Sequence, residues 1–128
     1  MYTIEIKHFF QAAHQLTDSE DLFTKECSRP HGHSYCVIVK INVEELNKAS
    51  MVIDFKAIKR LIDDAFDHKN INEVFRNLYS NVHIESTAEN IAKTIYSLIL
   101  EKYLLKSIVS VAEGYKGSEN TSWVTYSN

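Results

Sequence analysis

Apolar and polar side chains alternate from Thr3 to His14. Ile4, Ile6, Phe10, Ala12 and His14 share one parity, and Thr3, Glu5, Lys7 and Gln11 the other. Side chains two residues apart on an extended chain share a face, so this segment reads as a half-buried strand whose inward row ends on a histidine. The pattern resumes with His31, His33, Tyr35, Val37, Val39, Ile41 and Val43 on the apolar parity, and Ser34, Cys36, Lys40 and Asn42 opposite. Both imidazoles of this second strand therefore belong to the buried face. If the two strands pair antiparallel, the end of the first lies beside the start of the second, and all three histidines meet at one rim of the sheet. Residues 15–30 between them hold no sustained period and are expected to form a long loop, a kind of segment that often carries function in compact domains.

The period then changes. Phe55, Ile58, Leu61, Ile62, Ala65 and Phe66 are spaced by three and four, which predicts one apolar helix stripe with Asp54 as its cap. Residues 67–85 give mixed, mostly polar signals. Ser86-Thr87-Ala88-Glu89 matches a capping box, with Ser86 expected as the cap, and Ala88, Ile91, Ala92, Ile95, Leu98 and Ile99 continue a stripe to about Tyr103. Residues 107–113 and 121–126 read as short strands around a glycine-containing connection. The order strand, strand, helix, helix, strand, strand predicts an α+β fold, a four-stranded antiparallel sheet covered on one face by two helices. Such a sheet has two exposed edges, which favours closure into an oligomer.

Three neutral imidazoles converging at a sheet rim suit zinc, and three protein ligands with a fourth position open mark a catalytic site rather than a structural one. A His-Gly-His tripeptide alone is more often a strand end than a ligand pair; His14 at matching parity is what changes that. His8 shares the parity, but Phe10 intervenes and six residues of extended chain, about 20 Å, separate it from His14, so it is read as structural. Cys27 lies just before the ligand pair, placed to act as nucleophile or base, whereas Cys36 faces the other way and is expected to be inert.

Composition narrows the class. A chain of 128 residues with 45% hydrophobic content is sized for one domain, residues 1–128, with its own core. The net charge of −3 provides no broad basic surface, so nucleic acid is not an expected partner. The start MYTIEIKHFF lacks the basic, apolar and small-residue regions of a signal peptide, and no apolar run is long enough to span a bilayer. A cytoplasmic protein without a membrane partner is expected. Two cysteines make no disulfide framework.

The segments FFQAAHQL, CSRPHGHSY, VIDFKAIK, FDHKNIN and STAEN, and the acidic end of VSVAE, stand in an order and spacing that resembles the 6-pyruvoyl-tetrahydropterin synthase and 6-carboxytetrahydropterin synthase family over nearly the whole chain. The resemblance implies the tunnelling fold, in which three protomers join their sheets into a barrel and two trimers form a homo-hexamer with active sites between subunits. It also implies that His14, His31 and His33 hold Zn2+, that Cys27, Asp67 and His68 form the catalytic set, and that Glu113 binds the pterin ring. A carboxylate suits that last role, because it can accept two parallel hydrogen bonds from a guanidine-like ring edge. The substrate implied is the small molecule 7,8-dihydroneopterin triphosphate.

Cys27 stands four residues before His31, the spacing of the bacterial 6-carboxytetrahydropterin synthases, which release acetaldehyde and triphosphate and supply queuosine and 7-deazapurine precursors. The alternatives within the family are triphosphate elimination to the 6-pyruvoyl product and, with Glu26 beside Cys27, side-chain cleavage to 6-hydroxymethyldihydropterin. A catalytically silent zinc- or pterin-binding protein is the alternative outside catalysis. The chain departs from the family pattern at Ala49-Ser50-Met51, where glycine is common, at Ser86, where proline is common, and at Gly114, where threonine is usual and would offer the pterin a polar contact. Arg29, Lys69 and Lys116 are cations on expected loops and carry no assignment.

Overall fold

The computed structural model describes residues 1–17, 25–117 and 120–128. Its elements, in chain order, are β1 (Tyr2–His14), a 3-10 turn (Lys25–Ser28), β2 (His31–Val43), α1 (Phe55–Phe66), β3 (Lys69–Asn70), α2 (Ile71–Leu78), α3 (Ala88–Tyr103), β4 (Ile108–Glu113) and β5 (Val124–Tyr126). The sheet runs in the order β3-β1-β2-β4-β5, antiparallel except for β3, which lies parallel to β1. Among the described residues no helix is long and apolar enough to cross a membrane.

The expected four strands and two helices are thus corrected, among the described residues, to five strands and three α-helices. The additions both fall in the polar stretch after α1. Ile71, Val74, Phe75 and Leu78 there follow helical spacing, and Asn70 caps α2 by accepting from the Glu73 N–H at 3.3 Å. The alternating strand parity holds: Ile6, Phe10 and Ala12 of β1 and Tyr35, Val37, Val39 and Ile41 of β2 are buried, with Val109 and Val111 of β4 beside them. Ile58, Ile62 and Phe66 of α1, Ile71 and Phe75 of α2, and Ile91, Ile95 and Ile99 of α3 cover that face. Phe10 links the layers, its ring stacked 4.9 Å from Tyr35 and 5.5 Å from Phe66. Phe55, the first residue of α1, departs from the expected stripe and is exposed.

Asp54 caps α1 as expected, accepting from the Lys56 N–H at 2.9 Å. The expected cap of α3 is corrected by one residue. Thr87 takes the cap position and accepts from the Asn90 N–H at 3.3 Å, while Ser86 turns inward to serve the site. On the opposite face of the sheet Cys36, opposite Phe9 in the register, is fully buried, and burial pushes its thiol pKa up, in keeping with an inert cysteine. His8 donates from Nε2 to the Asp63 carboxylate of α1 at 2.7 Å, which fits its structural reading.

Phe66→Ala, which empties the contact between α1, α2 and the Phe10 ring, is expected to cost roughly 3–5 kcal/mol in urea unfolding; a loss below about 1 kcal/mol contradicts this account of the core.

Candidate metal centre

The β1–β2 ladder runs from Tyr2↔Val43 to His14↔His31, so its last pair is two histidines, and Ala12↔His33 sets the third imidazole one diagonal step away on the same face. The ring centroids are 4.5 Å apart for His14 and His31, 5.1 Å for His14 and His33, and 4.8 Å for His31 and His33. One nitrogen from each ring lies within 4.8 Å of the others.

Two of the rings have their tautomers fixed by backbone carbonyls, which can only accept. His14 donates from Nδ1 to the Ser86 carbonyl at 2.6 Å, and His31 from Nδ1 to the Arg29 carbonyl at 2.6 Å. Each therefore keeps its Nε2 lone pair for another partner. The Nε2 atoms of His14 and His33 are buried with no hydrogen-bond partner. Glu113 Oε2 is 3.5 Å from His33 Nε2, close enough for electrostatic attraction and too long for a hydrogen bond. Burial lowers the pKa of both His14 and His33, holding them in the neutral form that ligates metal. Orphaned imidazole nitrogens cost about 1–3 kcal/mol each when nothing meets them. Three imidazole donors at one point, two of them orphaned, fit a divalent metal that prefers nitrogen.

Glu113 ends β4 opposite Tyr35, and directly after it Gly114 takes φ 69°, a backbone region glycine occupies without strain, so a side chain there would be strained. Tyr35 is fully buried beside the His14 and His33 rings, and burial, reinforced by Glu113, pushes its phenol pKa up. A surface cavity of about 320 Å³ joins Glu113 to Glu89, in the first turn of α3, and to Trp123. Glu89 was read from sequence only as part of a capping box; its place in this cavity follows from where α3 starts relative to β4.

Asp67 and His68 stand apart from the histidine trio. They follow α1 and grip the free edge of β1 at Gln11, three residues before His14: the Asp67 carboxylate accepts from the Gln11 N–H at 3.0 Å, and the His68 N–H donates to the Gln11 carbonyl at 2.6 Å. His68 Nδ1 pairs with Asp67 at 2.9 Å, and the Gln11 bond first, then His68, lowers the Asp67 pKa. His68 has a left-handed φ of 58° with its side chain 79% exposed. A strained, outward histidine held by a carboxylate is a feature often associated with function.

Cys27 lies in the 3-10 turn, half-buried, and its carbonyl accepts from the Leu16 N–H at 2.8 Å, tying that turn to the end of β1. It does not belong to the group of converging donor atoms. The Glu26 side chain lies outside the described residues, as does the middle of the expected 15–30 loop. Lys69, expected on a loop, belongs to β3 and donates from Nζ to the Asp64 carbonyl.

A five-stranded sheet with helices on one face and a histidine cluster at its rim that could hold a metal ion defines an α+β class. The sequence profile described as 6-pyruvoyl tetrahydropterin synthase matches residues 3–128, and the chain belongs to that family of pterin synthases. It is 33% identical over 70 residues to the 6-carboxy-5,6,7,8-tetrahydropterin synthase of Bacillus subtilis, a match spanning 55% of this chain and 48% of that protein, about half its length. With a protein of Archaeoglobus fulgidus provisionally given the same name, identity is 34% over 113 residues, covering 86% of each. The structure of Caenorhabditis elegans 6-pyruvoyl tetrahydropterin synthase superposes with a TM-score of 0.66 at 26% identity, covering 99% of this chain and 95% of that one.

Because His14 and His33 titrate below the ordinary 6.5 when folded, the unfolded chain takes up protons first as the pH falls. The metal-free protein is therefore expected to keep full stability above about pH 6.5 and lose it progressively on acidification below that. Urea midpoints measured from pH 8 to pH 5 check this, and a midpoint that rises on acidification contradicts it.

Proposed function

We infer that this protein is a zinc-dependent 6-carboxy-5,6,7,8-tetrahydropterin synthase acting on 7,8-dihydroneopterin triphosphate. The observation that carries the reading is the convergence of three imidazoles, two with tautomers fixed by carbonyl partners and two with buried, unpartnered Nε2 atoms. The family supplies the substrate class, and the 6-carboxy branch is favoured by the four-residue step from Cys27 to His31 and by the names of the relatives at 33% and 34% identity.

His14, His31 and His33 would hold the ion. When bound, zinc acts as a Lewis acid toward the side-chain hydroxyls of the substrate, making them more acidic and favouring the negative charge that develops there. Glu113 receives the guanidine-like edge of the pterin through two parallel hydrogen bonds, with Glu89 in the same cavity. Cys27 acts as the base toward a carbon-bound proton; His68, oriented by Asp67, passes protons to and from the substrate. The exposed position of His68 suits a role completed across a subunit contact, as the family's hexamer implies. The net reaction consumes one water, leaves 6-carboxytetrahydropterin and releases acetaldehyde and triphosphate. The cytoplasm is the compartment expected for it.

Incubating zinc-loaded protein with dihydroneopterin triphosphate and identifying products tests this. Acetaldehyde with 6-carboxytetrahydropterin is the expected result. A 6-pyruvoyl product, 6-hydroxymethyldihydropterin, or no turnover each contradicts the branch, the last in favour of a silent zinc- or pterin-binding protein. Cys27→Ala is expected to keep fold and zinc while losing at least about 100-fold in kcat, and His31→Ala to release zinc on dialysis. Retained zinc in the second variant, or lost zinc in the first, overturns the roles given to these residues.

A further inference from the structure

His31 and His14 are held by carbonyls of very different origin. The partner of His31 is Arg29, two residues away, whereas His14 reaches Ser86, 72 residues along the chain. The aim of the His14 ring therefore depends on how the start of α3 is tied to the end of β1. That tie includes the direct Ser86–Gln15 bond and the contact of Thr17 with Glu85, and one side chain, Asn72, joins both of its ends. Gln15, just past β1, donates its N–H to Asn72 Oδ1 at 3.0 Å, and its carbonyl accepts from Asn72 Nδ2 at 2.9 Å. The carboxamide thus exchanges with Gln15 the two hydrogen bonds that a neighbouring strand would. The Ser86 hydroxyl lies 3.2 Å from both Asn72 Oδ1 and the Gln15 carbonyl and donates to them. The ring of contacts closes on His14, and both His14 and Ser86 are buried.

We propose that Asn72 is a positioning residue for the metal centre, fixing the Ser86 carbonyl and the end of β1 so that His14 Nε2 points at the other two imidazoles. The inference rests on the zinc reading above. Among the described residues the Asn72 side chain bonds Gln15 and Ser86 rather than a ligand ring, and it does not cap α2, which is the work of Asn70. Partners one step behind a metal ligand commonly govern affinity by 10- to 100-fold.

The test is titration of the purified protein with Zn2+ alone against a competing chelator, together with the visible absorption of the Co2+ form. Asn72→Ala is expected to weaken zinc binding by about 10- to 100-fold and to change the Co2+ spectrum. Asn72→Asp keeps an acceptor for Gln15 and Ser86 and sits where a helix start favours a carboxylate, so it folds; lacking the donor, it too is expected to bind zinc more weakly. Tyr79→Phe removes the 2.7 Å contact with Thr94 at the far end of α2 and is expected to bind zinc as the parent does. His14→Ala is expected to release the metal. If both Asn72 variants fold and match the parent in affinity and spectrum while His14→Ala fails, the positioning role is wrong and the zinc reading stands. Equal weakening by Tyr79→Phe would show that any loosening of α2 suffices, which also overturns the proposal. Parent-like binding by His14→Ala defeats the zinc reading itself and the proposal with it.

Discussion

The register of the β1–β2 ladder is the constraint on which the rest depends. A strand has a side-chain period of two, so a slip of one residue would send Ile6, Phe10 and Ala12 to the opposite face and carry His14 away from His31 and His33. The apolar rows penalise that slip, because they are buried against three helices. The free edge of β1 adds a second lock: Asp67 and His68 bind Gln11, β3 pairs with Ala12 and Ala13, and Asn72 binds Gln15. Gln11, Ala12, Ala13 and Gln15, on both sides of His14, are thus gripped by the segment 67–72.

Such a grip is needed because the site opposes folding when nothing fills it. Burial holds His14 and His33 neutral and leaves their Nε2 atoms without partners, an arrangement that persists only where the surrounding structure determines it. A metal ion that meets three nitrogens relieves this cost, so binding and stability are coupled. The groups that would act on substrate occupy the ends of elements: His14 at the close of β1, His31 and His33 at the opening of β2, Glu113 at the close of β4 and Glu89 in the first turn of α3. Regular structure sets their positions.

Much of this was legible in residue order. Strand parity alone brought the three histidines to one rim and turned Cys36 away, because periodicity survives whatever packs on the sheet. Asp54 announced α1 by the same kind of local chemistry. The second helix was obscured because Asn72, Glu73, Arg76 and Asn77 dilute a short stripe, although Asn70 ahead of Glu73 was a usable start signal. Ser86 was misassigned by one position, since Ser and Thr are both competent caps and only tertiary contacts draw Ser86 inward to Gln15 and Asn72. Glu113, Asp67 and His68 have no periodic signature; family resemblance singled them out, and the fold places Glu113 beside His33 while leaving Asp67 and His68 on the β1 edge.

X-ray absorption at the zinc edge of the metal-loaded protein tests the central claim most directly. Three imidazole nitrogens and one exchangeable oxygen at about 2.0–2.1 Å, with no sulfur, is the predicted shell. A sulfur scatterer near 2.3 Å, or a shell of four protein donors, would contradict it.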